Sequence, residues 1–390
     1  MNNATSLRLL QLEMVLTATL LSIPIMVPFY QSIGMDQAQI GLSQALFTLA
    51  LLMVNVPTGW LADRFSRKVC NAVGDLGCAV SLVLYSQAQS FVDVVLIEIA
   101  FGISMAFTQG ADDGLFKAYA DAIDPTGRSY VRKLATVRTW QPLAQAVALV
   151  LGGFVGAQDM RLAIGLSALP YFVGAVLSMI MRETGERLQQ EHAHPVADMW
   201  LVSRRIVGAN AHVRWLIIAY AVGREATHVT VWVLTPVLLV VGVPLQFVAI
   251  GWVVNMMANV AGARLAGRYS HRLSDWQRFL FPILAVGAAL VVMGIHLSLA
   301  TVWLYAVLGV VQGWTSVVLM PMLQARVANN VSSTVSSIAK SCAQLLYIPL
   351  VWAINAAGVV DVRLSLLATA AVFVSLGTVT AWKLLQCEKK

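Results

Sequence analysis

Charge is what this sequence has least of. Asp, Glu, Lys and Arg make up only 12% of its 390 residues, about half of the roughly 25% usual in soluble domains. A soluble chain of this length would form two or three domains, and this composition could not keep their apolar surface from water. Cysteine is scarce as well. Cys70, Cys78, Cys342 and Cys387 are the four present, and their spacing fits neither a metal site nor a redox pair, so they read as free thiols. No Gly-x-x-x-x-Gly-Lys-Ser/Thr phosphate loop occurs, and no soluble stretch is long enough to hold a nucleotide domain. ATP-driven pumping within this chain is thereby excluded. No enzyme activity, catalytic residue, metal or cofactor is expected. The first apolar run lacks a small-residue cleavage site, so it is expected to stay as a membrane span.

What the chain has in abundance is apolar sequence: 58% hydrophobic residues and a mean hydropathy of +0.75. Runs of about twenty apolar residues recur from end to end, each long enough to cross a bilayer as a helix. They are expected to be helices because lipid offers the backbone no hydrogen-bond partner. Twelve spans are legible, at about 8–30, 40–60, 69–88, 92–116, 135–157, 162–182, 213–239, 246–266, 279–298, 301–323, 337–358 and 362–383. The fold class expected is an all-α membrane protein. Residues 1–182 would form an N-terminal six-helix bundle and residues 213–390 a C-terminal one. The connection between them, 183–212, reads as a cytoplasmic central loop, with apolar residues in Pro195 to Val207 at the period of an interfacial helix.

The basic residues set the orientation. With a cytoplasmic N-terminus, 23 of the 26 Lys and Arg fall on the cytoplasmic side, as the positive-inside rule requires. Arg161 and Arg363 fall outside and Arg224 within a span. Both termini are therefore expected in the cytoplasm, and the chain is expected as a multi-pass protein of the cell (inner) membrane. The net charge of +7 marks that face and gives no sign of a nucleic-acid partner.

Between the second and third spans stands GWLADRFSRK, Gly59 to Lys68, with four charges in ten residues. Gly59 permits close helix approach or a sharp exit. Asp63 suits a neighbouring helix N-terminus, and Arg64, Arg67 and Lys68 can pair with carboxylates at other helix ends. A copy appears 204 residues later in ARLAGRYSHR, Ala263 to Arg272, where Gly267 replaces Asp63. Gln109-Gly110 is echoed by Gln312-Gly313 at nearly the same offset. Two pseudo-symmetric six-helix bundles around a central cavity are the expected architecture.

Gly59-x-Leu61-Ala62-Asp63-Arg64-x-x-Arg67-Lys68 resembles the signature loop of the major facilitator superfamily, with Ser66 in place of that motif's second Gly. Pro57-Thr58 and the run Glu98…Gly102…Phe107…Gly110-Ala111-Asp112 resemble a bacterial, efflux-type branch. The resemblance implies a conformational latch formed by Gly59, Asp63, Arg64, Arg67, Lys68 and Asp121. Asp63 would meet the start of span eleven near Ser333 to Ser337, and Arg67 would pair with Asp121. The Gly-Pro-x-x-Gly-Gly signature of the family's antiporters is missing: span five has Gln141-Pro142, and Gly152-Gly153 follow ten residues later.

Polar groups inside a membrane are costly and mark cavities, partners or coupling sites. Span seven carries Tyr220, Arg224, Thr227, His228 and Thr235 at helical spacing, which predicts one wet face. Arg224 can take an anionic or hydrogen-bond-accepting ligand, and imidazole is the side chain able to change charge around neutral pH. Glu225 lies about 100° from Arg224 and reads as facing another neighbour. A structural Arg–Glu or Arg–Asp bridge is the competing reading. Span four offers a second stripe of Glu98, Met105, Gln109, Asp112 and Tyr119. Asp112 and Asp113 read either as proton or cation sites or as gate residues, and Glu98 as an acid or a packing group. Glu13 lies at a depth resembling that of the coupling acid of some drug–proton antiporters. The expected function is a secondary transporter with a small-molecule substrate and protons or another coupling ion, working in lipid as a monomer. Two directions stay open: export of a drug-like, siderophore-like or metabolite molecule, or import of a small polar nutrient by symport or uniport.

Overall fold

Long apolar runs in lipid satisfy their backbone only by coiling on themselves, and the computed structural model is helical throughout. It describes residues 2–124, 128–183, 210–327 and 329–388, among which no strand occurs. The interfacial helix expected at Pro195 to Val207, most of the central loop, and the side chains of Asp63 and Asp113 lie outside the described residues. The helices are α1 (Asn3–Leu16), α2 (Met26–Ser32), α3 (Gln37–Arg64), α4 (Arg67–Gln87), α5 (Phe91–Ile123), α6 (Arg128–Gln158), α7 (Met160–Leu166) and α8 (Ala168–Ile180). There follow α9 (Ala211–His228), α10 (Val231–Val240), α11 (Leu245–Tyr269), α12 (Asp275–Ile295), α13 (Tyr305–Gln324), α14 (Asn329–Val360) and α15 (Val362–Glu388).

Ten helical stretches among the described residues are long and apolar enough to cross a membrane. The two remaining expected spans, the first and the seventh, are each interrupted: α1 gives way to α2, and α9 to α10. Each interruption needs partners for the backbone groups it frees. In span one, Gln145 of α6 supplies both, accepting from Leu20 N and donating to Leu20 O at 3.0 Å each. Ser22 N donates to Ser167 Oγ at 3.1 Å. In span seven the Tyr305 hydroxyl donates to the carbonyl of Thr230.

The chain divides into two compact units. Unit 1 comprises Met1–Met35, Leu46–Ala193 and Leu245–Ala249; unit 2 comprises Asp36–Ala45, His194–Pro244 and Ile250–Lys390. Within unit 1, α4 packs on α5 and α8, and α1 packs on α5, α6 and α8. Within unit 2, α12 packs on α13 and α15, and α9 packs on α13, α14 and α15. Span three against six, and span one against four to six, thus recur as nine against twelve and seven against ten to twelve.

The repeat is sharpest where each interrupted span ends. Gly34 and Gly242 have φ of 85° and 88° and are the described residues with positive φ. After α2, Gly34 N donates to Gln31 O and Met35 N to Tyr30 O; after α10, Gly242 N donates to Leu239 O and Val243 N to Leu238 O. Both are the same left-handed helix stop, which glycine adopts without strain.

Small residues set the closest approaches. A Cβ on Gly152 would lie 1.9 Å from the carbonyl oxygen of Leu21, and one on Gly313 would lie 1.9 Å from that of Asn259.

Candidate functional site

Span seven carries Arg224, Glu225 and His228 within five residues. Along α9, from Leu216 to His228, Tyr220, Arg224, His228 and Ile218 are partly exposed, and the other side chains are buried. Tyr220, Arg224 and His228 thus share one open face at four-residue spacing. The side chains of Arg224 and His228 are 39% and 41% exposed, whereas that of Glu225 is 1% exposed. Glu225 nevertheless touches both: Arg224 Nη1 lies 3.3 Å from Oε1, and His228 Nδ1 lies 3.2 Å from Oε2. A flexible carboxylate reaches back across the helix surface, so its backbone azimuth does not decide its partners. The i, i+3 spacing of Glu225 and His228 was the available signal. The His228 ring lies over Tyr347, with centroids 4.9 Å apart, and Tyr347 Oη accepts from Trp232 Nε1 at 3.0 Å.

Two members of the expected stripe fall off that face. Thr227 is buried and donates to Arg224 O at 3.2 Å. Thr235 is buried in α10, where it accepts from Trp252 Nε1 at 3.3 Å. The break after His228 resets the helix, so periodicity counted through it misplaces Thr235.

The span-four stripe is likewise not one wall. Glu98 is buried and accepts from Tyr30 Oη at 3.0 Å, and Tyr30 Oη lies 3.4 Å from Tyr85 Oη. Gln109 is exposed and Asp112 half-buried. Tyr119 is packed among Leu7, Leu10 and Met14, with its hydroxyl donating to the carbonyl of Arg182. Over its 33 residues α5 meets α4, α1 and α6, so one face changes surroundings along its length. Glu13 is fully buried on α1, with Asp112 and Asp75 close enough to act on it electrostatically.

The charged motif is mostly helical rather than a loop. α3 runs through Gly59, where an added Cβ would meet open space, and on to the exposed Arg64. Ser66 caps α4 by accepting from Val69 N at 3.2 Å, and it donates to Glu183. Lys68 Nζ donates to Met181 O at 3.1 Å and Met179 O at 3.4 Å, at the carbonyl-rich end of α8 where a cation is favoured. Arg67 Nη1 donates to Gly114 O at 3.3 Å. Asp121 is exposed farther along α5, and no ion pair joins it to Arg67 among the described residues.

Sequence reasoning passed over Asp275. At the first turn of α12, next to the repeated loop, it pairs with Arg326 at 2.9 Å, Arg278 at 3.3 Å and His212 at 3.6 Å. Ser274 followed by Gln277, a capping box, was the signal for that helix start.

Two repeats of six helical crossings, each opened by an interrupted helix that carries buried charge, define a membrane transporter. The chain belongs to the Major Facilitator Superfamily, whose family model matches residues 14–349. It is 28% identical over 155 residues to an uncharacterized MFS-type transporter of Methanocaldococcus jannaschii; the match covers 40% of this chain and about a third (33%) of that relative. Its fold is similar to crystal structures of the nucleoside transporter NupG, with TM-score 0.79, 13% identity and full coverage of both chains. It is similar also to a bacterial homolog of the human lysosomal transporter Spinster, with TM-score 0.77, 14% identity, and 99% and 98% coverage. A D-xylose–proton symporter gives TM-score 0.76, 12% identity, and 98% and 97% coverage. At these identities the likeness is one of fold.

Proposed function

We propose that the chain is a proton-coupled secondary transporter of the cell (inner) membrane, with both termini cytoplasmic, that works as a monomer by alternating access. In this reading it exports a small drug-like, siderophore-like or metabolite molecule. The observation that carries the reading is Glu225: a buried carboxylate in contact with the half-exposed side chains of Arg224 and His228 on one face of α9. Such a group exchanges a proton for another cation. A zwitterionic substrate fits it best. Its carboxylate draws Arg224 away from Glu225, and the freed Glu225 carboxylate takes up either a proton or the substrate's ammonium. Proton and substrate then compete, which is the logic of exchange. The direction rests on the resemblance of span four to the efflux-type branch. Import by symport is the second reading, favoured by the fold-level likeness to a D-xylose–proton symporter.

The test is accumulation of a compound panel in inverted and right-side-out vesicles, with and without a pH gradient. Export by exchange predicts accumulation in inverted vesicles with an acid interior. Arg224→Ala should weaken substrate binding about tenfold or more, and should weaken binding more than it weakens folding. Accumulation only in right-side-out vesicles bathed in acid would select symport, and indifference to any pH gradient would remove proton coupling.

The motif around Asp63 is proposed as a conformational latch, with Arg64, Arg67, Lys68 and Asp121 as its other charged members. The packing of Lys68 and Arg67 on helix ends and carbonyls in unit 1 supports a role beyond topology. Asp63→Asn is expected to stop most transport with membrane insertion intact. A wild-type transport rate in the purified variant refutes the latch.

A further inference from the structure

The span-seven reading leaves unused a group of buried carboxylates in unit 1. Glu13 of α1 and Asp75 of α4 are both fully buried. Their carboxyl groups lie within hydrogen-bonding reach of one another. None of their four oxygen atoms has a hydrogen-bond donor, and neither group belongs to an ion pair among the described residues. Asn71, fully buried one turn before Asp75, stands beside Glu13; its Nδ2 is engaged by Ser178 Oγ at 3.1 Å, and its Oδ1 is a further buried acceptor with no donor. Turning the amide over would give Glu13 a single donor and leave three carboxylate oxygens facing none.

Among the described residues, the titratable groups around the pair add no positive charge. Asp112 faces it from α5, Cys78 from α4 and Tyr171 from α8. From α6 come the amides Gln141 and Gln145, which bond the backbone of Met14 and Leu20. Arg161 of α7 bonds Ser86 O at 2.7 Å instead. Glu13 also sits in the last turn of α1, where the free carbonyls disfavour an anion. Yet the fold makes room for the pair: a Cβ on Gly174 of α8 would lie 2.8 Å from Asp75 Oδ2 and 3.0 Å from Thr17 Cγ2.

Two ionised carboxylates cannot stay in contact in an apolar interior without a cation, since neither desolvation nor repulsion is offset. We propose that Glu13 and Asp75 form a proton-binding site that holds one proton between them. One carboxyl donates its O–H to the other carboxylate, and that strong charge-assisted bond supplies the donor which the surroundings lack. Thr17 Oγ1 bonds the backbone carbonyl of Glu13 at 3.1 Å where span one begins to unwind, which places the site next to the interruption. The inference concerns proton binding by the folded chain and stands whether or not Glu225 carries transport coupling.

Infrared difference spectroscopy of the purified full-length chain in lipid nanodiscs tests it without any substrate. Wild type at neutral pH should show a protonated-carboxyl C=O band that shifts in deuterated buffer. Glu13→Gln and Asp75→Asn should each abolish the Glu13–Asp75 contribution to that band, and Asp112→Asn should retain it. Absence of the band in wild type overturns the proposal and needs no variant to fold. So does a band that survives both substitutions, or one that sodium chloride removes at constant pH, which would assign the site to an alkali cation.

Discussion

Gly152→Val is expected to lower the thermal midpoint of the purified chain by several degrees and to reduce the yield of monodisperse protein. The first atom of the new side chain would stand 1.9 Å from Leu21 O, 2.7 Å from its carbonyl carbon and 2.8 Å from its Cα. All three are backbone atoms, so no rotamer change relieves the overlap. Leu21 cannot simply withdraw, because its neighbour Leu20 is held on both backbone groups by Gln145, two turns before Gly152 on the same helix. Overpacking of this kind costs on the order of 1–3 kcal/mol even after neighbours shift, and here a shift also breaks the bonds to Leu20. Gly313→Val should behave alike in unit 2, where Asn259 O stands 1.9 Å away. Gly267→Ala is the control: an added Cβ there meets nothing within 4 Å, and alanine raises helix propensity by about 1 kcal/mol. An unchanged midpoint in Gly152→Val would mean that α6 does not cross span one as closely as described.

Glu225→Gln is expected to uncouple transport while leaving a folded, substrate-binding chain. Glutamine keeps the shape of the buried side chain and removes the charge that Arg224 and His228 approach at 3.3 and 3.2 Å. Accumulation driven by a pH gradient should fall by about tenfold or more, within the about 5–150-fold range that a coupling of 1–3 kcal/mol gives. Exchange between equal substrate concentrations at constant pH should continue. Measuring both in the same vesicles separates coupling from folding, since a misfolded variant loses the two together. Wild-type accumulation by the Gln variant would move the coupling proton to another acid. Glu225→Leu should be worse on both counts, because Arg224 then loses its nearest anion.

How much could be read beforehand depended on whether a feature is written in the period or in the reach of side chains. Helical crossings were legible from apolar length alone, and the repeat from Arg64, Phe65 and Ser66 against Arg268, Tyr269 and Ser270. The interruptions of spans one and seven were not. Thr17 to Ser22 is apolar enough to extend a run, and the groups that permit its unwinding, Gln145 and Ser167, lie far away in sequence. The open face of α9 followed from Tyr220, Arg224 and His228 at period four, but Thr235 was miscounted because the period does not survive the break. Glu225 was assigned elsewhere because azimuth fixes a Cβ and leaves a long carboxylate free to swing. Asp75 falls within the third apolar run, 69–88. Its closeness to Glu13 was not legible, because nothing in a single sequence pairs α1 with α4.

The bond from Gln145 to Leu20 has a consequence for how such a chain records its own history. The unwound segment of span one is recognised through its backbone, which every residue except proline presents alike. The bend itself therefore asks nothing of the side chains at positions 20 and 21, while it needs the amide at position 145 and the bare backbone at position 152. In an alignment of descendants, the imprint of the bend would be found in α6, some 125 positions from the bend itself.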